Sequence, residues 1–201
     1  MTNEASPNRL IGNTAPDFKA NALVNGEIKE GVSLSDFNGK WKVLYFYPLD
    51  FTFVCPTEIT AFDDNLDKFK EVNCEVIGCS VDSEFSHLAW SQKSRDDGGI
   101  GQIRYPILAD ITKQIARSYG VLLDESVALR GTFILDDKNV VQHCSINNLS
   151  VGRNVEEVLR LVQGYQHTAK VGEVCPANWN KGGDTMKPDP KGSKEYFSKL
   201  K

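Results

Sequence analysis

Val43-Leu44-Tyr45-Phe46-Tyr47-Pro48-Leu49-Asp50-Phe51-Thr52-Phe53-Val54-Cys55-Pro56-Thr57-Glu58 joins two patterns in one short stretch. Its first five residues form an apolar run of the kind that makes a buried strand. Beyond it, Ile59, Phe62, Leu66 and Phe69 fall on one helical face, which predicts a helix over 57–71. Cys55 therefore stands where a strand has ended and a helix begins. Unpaired backbone N–H groups and a partial positive charge at that point favour a thiolate over a thiol. Pro56 suits the first helical position, where its missing N–H costs nothing, and Glu58 follows in the first turn. The stretch reads as the seat of an activated sulfur nucleophile.

Working outward, strands are expected over 41–47, 75–80, 132–135 and 140–145. Further helices are expected over 84–93, 112–119 and 154–167, the last with an apolar stripe of Val155, Val158, Leu159 and Val162. A strand-helix-strand start implies a parallel pair, and the turn Asp136-Asp137-Lys138-Asn139 implies an antiparallel hairpin. The fold class is α/β: a mixed central sheet flanked by helices. After Thr168 the residues Gly172, Pro176, Gly182, Gly183, Pro188, Pro190 and Gly192 break any long element. The expected organisation is a catalytic domain over 1–168 and a C-terminal arm over 169–201, with a short helix near 194–199.

Composition narrows the chemistry. The 201 residues are 40% hydrophobic, enough for one substantial core. A net charge of −4 gives no footprint for nucleic acid or an anionic membrane surface. The polar start, Met1 to Leu10, lacks the apolar core of an export signal, and Ser198-Lys199-Leu200 is followed by Lys201, so a cytoplasmic location is expected. Five cysteines with no Cys-x-x-Cys, and none grouped at zinc-ligand spacing with His87, His143 or His167, point away from zinc. The histidines receive no catalytic role. The acidic pairs Asp63-Asp64 and Asp136-Asp137 read as solvated, and Cys74, Cys79 and Cys144 read as packing residues beside strands.

An unperturbed thiol, with a pKa of about 8.5, is only about 3% ionised at pH 7. Full ionisation raises the reactive fraction about thirtyfold. Anything larger must come from groups that stabilise charge in the transition state, so a cation and hydrogen-bond donors are expected near Cys55.

Pro48, Thr52 and Cys55 match the proline-x3-threonine-x2-cysteine signature, and the chain resembles the typical two-cysteine peroxiredoxins, eukaryotic-type thioredoxin peroxidases. The resemblance continues through Ser80-Val81-Asp82-Ser83, His87-Leu88-Ala89-Trp90, Gly98-Gly99-Ile100-Gly101, Leu129-Arg130-Gly131, Val151-Gly152-Arg153 and Val174-Cys175-Pro176-Ala177. It implies a thioredoxin-like fold and a peroxidase acting on hydrogen peroxide or small organic hydroperoxides. Cys55 would be the peroxidatic cysteine, Thr52 and Arg130 its polar partners, and Pro48 its cover. Glu58 and Arg153 would orient Arg130.

Cys175 would resolve the sulfenic acid of a partner subunit, which implies a homodimer. Thioredoxin or an equivalent dithiol protein would reduce the disulfide, with no metal or organic cofactor. Relatives assemble into decamers; some carry a cysteine where this chain has Ser86, so a ring here would rest on noncovalent packing. Gly98, Gly99, Ile100 and Gly101, with Tyr196 and Phe197, match elements that keep the cysteine's helical turn folded. The implied outcome is slow resolution and over-oxidation of Cys55 by excess peroxide. A thioredoxin-like disulfide exchanger needs a second neighbouring thiol, and Pro56-Thr57-Glu58 supplies none. A holdase or redox-relay role can coexist with the peroxidase.

Overall fold

The computed structural model describes residues 9–199. Strands β1 (Lys19–Val24) and β2 (Glu27–Ser33) open the fold, followed by β3 (Trp41–Phe46), α1 (Cys55–Asp64), α2 (Leu66–Glu71) and β4 (Cys74–Ser80). Next come α3 (Glu84–Ser91), β5 (Ile107–Ala109), α4 (Gln114–Ser118), β6 (Leu122–Leu123) and β7 (Val127–Ala128). The chain closes with β8 (Arg130–Leu135), β9 (Val141–Asn147), α5 (Val155–Val171) and α6 (Ser193–Phe197). Seven strands form one sheet in the order β2-β1-β5-β4-β3-β8-β9, and β6 with β7 makes a separate ribbon. The β3–β4 and β4–β5 pairs are parallel, whereas β8 runs antiparallel to both β3 and β9. This is the expected mixed sheet.

Every residue of β3 from Lys42 onward is buried, which is why this central strand reads as a continuous run. Leu44 and Phe46 meet Ile77, Cys79, Phe133 and Leu135 in the main core on one face. Tyr45 projects to the other face, where its ring stacks on Phe62 of α1 at 4.4 Å.

Several expectations need correction. The first hairpin, β1–β2, was not expected at all. Its two-residue turn, Asn25-Gly26, has φ of 52° and 82°, the left-handed pair that a tight hairpin requires. The helix expected over 57–71 is two helices divided at Asn65, whose side chain donates to the Ala61 carbonyl at 2.9 Å and competes with the backbone ladder. Helix α1 starts at Cys55, so Pro56 is its second residue, where the absent N–H is equally harmless. Asp63 is not solvated: it is buried and receives Arg95 and Arg104.

Two compact units divide at Val155/Glu156. In the second, α5 is followed by a bridge between Val174 and Met186 and by α6. Trp179 anchors this unit, taking its place beside His167 at 5.3 Å and offering its carbonyl to Arg160 at 2.8 Å.

Lys42 is an anomaly in β3. Its ammonium is buried, donating to Asn139 Oδ1 at 2.5 Å and to the Phe37 carbonyl at 3.4 Å. Burial lowers its pKa, against the opposing pull of Asp136 and Asp137. The unfolded chain then binds more protons just below the ordinary lysine range, so stability rises with pH through that window. Lys42→Met should stabilise the protein by about 1 kcal/mol at pH 7, as replacing buried charge by matched apolar volume often does. Denaturant melts should show the gain shrinking towards pH 10. A variant less stable than wild type at both pH values would contradict this.

Candidate active site

The loop between β3 and α1 is tied down before it reaches the cysteine. Tyr47 Oη donates to Asp50 Oδ1 at 2.8 Å, and His87 Nδ1 lies 2.8 Å from Asp50 Oδ2. The other ring nitrogen of His87 faces the Leu108 carbonyl at 3.2 Å. The Asp50 amide donates to Asp82 at 2.8 Å. Sequence reading gave His87 no catalytic role, although it heads the matched His87-Leu88-Ala89-Trp90 motif; its part is to hold the loop.

Cys55 follows as the first residue of α1 and is 0% exposed. Arg130, at the start of β8, directs Nη1 to the Cys55 sulfur at 3.4 Å and to Glu58 Oε2 at 2.7 Å. Its Nε donates to the Leu149 carbonyl at 2.8 Å, so the planar guanidinium is fixed on two sides. Glu58, one turn after the cysteine, is 2% exposed and turns Oε1 to the Arg153 amide at 2.9 Å. Arg153 Nη1 lies 3.7 Å from the same oxygen, Nη2 donates to the Phe46 carbonyl, and Cζ sits 5.0 Å from the centre of the Tyr45 ring. Burial lowers the Arg153 pKa, with Glu58 opposing the shift.

The Arg153 segment packs closely on the start of α1 at Gly152. A Cβ there would stand 3.2 Å from Val54 Cγ1 and 3.6 Å from Glu58 Cγ. With both arginines and Glu58 charged, the cluster holds one surplus positive charge.

Thr52 Oγ1 donates to the Leu49 carbonyl at 2.9 Å, which commits its only hydrogen and leaves its lone pairs as acceptors. Pro48 is buried at the start of the loop. In the Gly98–Gly101 segment, the Trp90 indole donates to the Gly98 carbonyl at 2.9 Å. A Cβ on Gly99 would come within 2.3 Å of the Lys93 backbone, so only glycine fits. Ile100 is fully buried.

Cys175, Tyr196 and Phe197 belong to the second compact unit. The Cys175 sulfur lies 3.8 Å from the Gly164 carbonyl, and burial pushes its thiol pKa up against the pull of Arg160. The Tyr196 and Phe197 rings meet edge-on at 6.0 Å. All five cysteines are free thiols. Burial pushes Cys74 and Cys79 well up and Cys144 to about 11, the behaviour of packing residues. Among the described residues no group of three or more His, Cys, Asp or Glu side chains could hold a metal ion.

A thioredoxin-like sheet presenting a buried cysteine to an arginine at a helix start defines a thiol-chemistry protein. Comparison with known proteins specifies the kind. The model of the AhpC/TSA family matches residues 11–144, and that of the C-terminal domain of 1-Cys peroxiredoxin matches residues 164–199. Peroxiredoxin-2 of Mus musculus is 56% identical over 196 residues, covering 97% of this chain and 98% of the relative. The mitochondrial thioredoxin-dependent peroxide reductase of the same organism is 59% identical over 187 residues, covering 92% of this chain and 72% of the relative. The crystal structure of the reduced 2-Cys peroxiredoxin of Plasmodium vivax superimposes with a TM-score of 0.91 at 50% identity, covering 94% of this chain and 98% of that one. This chain belongs to the AhpC/TSA family, as a peroxiredoxin.

Proposed function

We propose that this protein reduces hydrogen peroxide and small organic hydroperoxides through Cys55, using Cys175 and an external dithiol protein to complete the cycle. The observation that carries the reading is the 3.4 Å approach of Arg130 Nη1 to the Cys55 sulfur inside a buried cluster with one surplus positive charge. The thiolate attacks the terminal peroxide oxygen. An S–O bond forms, the O–O bond breaks, and the leaving hydroxide or alkoxide takes a proton. Cys55 becomes a sulfenic acid while the peroxide is reduced by two electrons. Arg130 stabilises charge on the sulfur and on the leaving oxygen, and its fixed orientation avoids reorganisation during the reaction. Thr52 accepts a hydrogen bond from the bound hydroperoxide O–H, the one direction its committed hydrogen leaves open. Pro48 offers no donor and limits water at the sulfur. Glu58 and Arg153 hold Arg130 in place.

The Cys175 thiol of a partner subunit then attacks the sulfenic sulfur, forming a disulfide and releasing water. Thioredoxin or a similar dithiol reduces that bond by exchange. The working unit is a homodimer, assembling noncovalently into a decamer because Ser86 offers no thiol. A relative named for mitochondria leaves the compartment open at family level. Among the described residues no helix is long and apolar enough to cross a membrane, and we place the protein in the cytoplasm.

The test is turnover with thioredoxin and its reductase. Cys55→Ser should consume no peroxide above background, and Cys175→Ser should consume one equivalent as a sulfenic acid without thioredoxin-dependent cycling. Undiminished turnover by Cys55→Ser would refute the assignment.

A further inference from the structure

A second set of groups holds α1 from Ile59 to its C-terminal end and takes no part in the chemistry at Cys55. Tyr105, fully buried ahead of β5, donates its hydroxyl hydrogen to the Ile59 carbonyl at 2.8 Å. Its oxygen lies 2.7 Å from the Tyr45 hydroxyl. Because the Tyr105 hydrogen is committed to Ile59, Tyr45 must be the donor between the two phenols.

Flanking residues extend the hold. Arg104 brings its amide and Nε to Asp63 Oδ1 at 3.0 and 3.2 Å, and Nη2 to the Asp63 carbonyl at 2.5 Å. Arg95 reaches Asp63 Oδ2 at 3.1 Å and Asp64 Oδ1 at 2.7 Å. Arg95 and Tyr105 stand on either side of the Gly98–Gly101 segment, so that segment is staked to α1 from both ends. The first turn, in contrast, is tied by the amides of Thr57 and Glu58 to the Val54 carbonyl and by the Glu58 carboxylate to its arginines.

The contrast matters because Cys55 is fully buried and must leave its turn before a second thiol can reach it. A helix unravels from its end, one backbone bond at a time. Unravelling that passes Ile59 would strip a buried phenol of its acceptor, a costly loss in a dry interior. We propose that Tyr105 is a positioning residue: Cys55 is released by unwinding of α1 that runs through Ile59, and the Tyr105 hydroxyl on the Ile59 carbonyl resists that unwinding and slows the release. The sulfenic acid then has longer to meet a second peroxide, which oxidises it to sulfinic acid while being reduced itself. This inference rests on the two-cysteine reading above.

Full-length wild type, Tyr105→Phe and Tyr45→Phe should be mixed rapidly with hydrogen peroxide and quenched. Peroxide loss, Cys55–Cys175 disulfide and sulfinic acid are then followed separately, with melting temperatures measured for all three. Both variants remove one hydroxyl from the same pair and keep the ring, but only Tyr105→Phe frees Ile59. Tyr105→Phe should form disulfide about five- to tenfold faster, the scale of one lost hydrogen bond. Its sulfinic acid yield per turnover should fall by the same factor, with the first peroxide step unchanged. Tyr45→Phe should resolve at the wild-type rate.

Equal disulfide rates in the two variants, whatever their melting temperatures, would overturn the role of Tyr105 and leave the peroxidase reading standing. A wild type that forms no Cys55–Cys175 disulfide would overturn the two-cysteine reading and the brace with it. Should Tyr105→Phe fail to fold, Arg104→Gln decides, because loosening Asp63 must also speed disulfide formation; a wild-type rate there refutes the brace.

Discussion

Arg130→Met should lower the second-order rate constant for hydrogen peroxide about 10²- to 10³-fold, the usual loss on removing one preorganised donor from a site of developing charge. Methionine keeps much of the apolar stem but removes the group 3.4 Å from the sulfur. The change also converts the cluster of two arginines and one glutamate into a neutral pair. A negative sulfur would then be buried without a balancing charge. Arg130→Lys should recover part of the loss, since a lysine keeps the charge but cannot serve the Leu149 carbonyl, Glu58 and the sulfur with one rigid plane. Stopped-flow measurement under single turnover separates this step from resolution. A change of less than about threefold would mean that Arg130 does not act on the reacting atoms.

The second large effect is on stability. Glu58 and Arg130 are 2% and 4% exposed as residues, and Glu58 also faces the buried Arg153. Such an arrangement owes little to the net worth of an ion pair and much to the cost of breaking it. Glu58→Gln leaves two guanidinium groups in a dry site without the carboxylate that both of them face. The expected loss is about 3–5 kcal/mol, the range for removing one partner of a buried pair. Glutamine can still accept from the Arg153 amide, so the loss reports charge more than hydrogen bonding. Denaturant melts of the reduced protein measure it, and a loss under about 1 kcal/mol would show that water enters the cluster and screens it.

The sequence carried the site further than it carried the scaffold. Cys55 was legible at its strand-to-helix junction, whereas Arg130, Glu58 and Arg153 were reached only through the motifs that carry the family resemblance. The structure brings all four within hydrogen-bonding or ion-pair range. The division of the helix at Asn65 was hidden because Ile59, Phe62, Leu66 and Phe69 keep one period across the break. The first hairpin was legible in Asn25-Gly26 but flanked by strands too polar to stand out, since β2 carries Glu27, Lys29 and Glu30 at the sheet edge.

Asp63 was misjudged because its partners, Arg95 and Arg104, are 32 and 41 residues away. Tyr45 and Tyr105 are separated by 60 residues, and each alone passes for a core aromatic. Pairings of that kind follow from topology, which local periodicity does not encode.

In the proposed cycle Cys55 is oxidised by peroxide and then joined to Cys175 of another subunit. Its most direct test is to add one equivalent of hydrogen peroxide to the reduced protein, followed by non-reducing electrophoresis, intact mass and peptide mapping. The expected product is a covalent dimer linked through Cys55 and Cys175, which is lost in Cys175→Ser. A Cys55 that stays a free thiol while peroxide is consumed would contradict it.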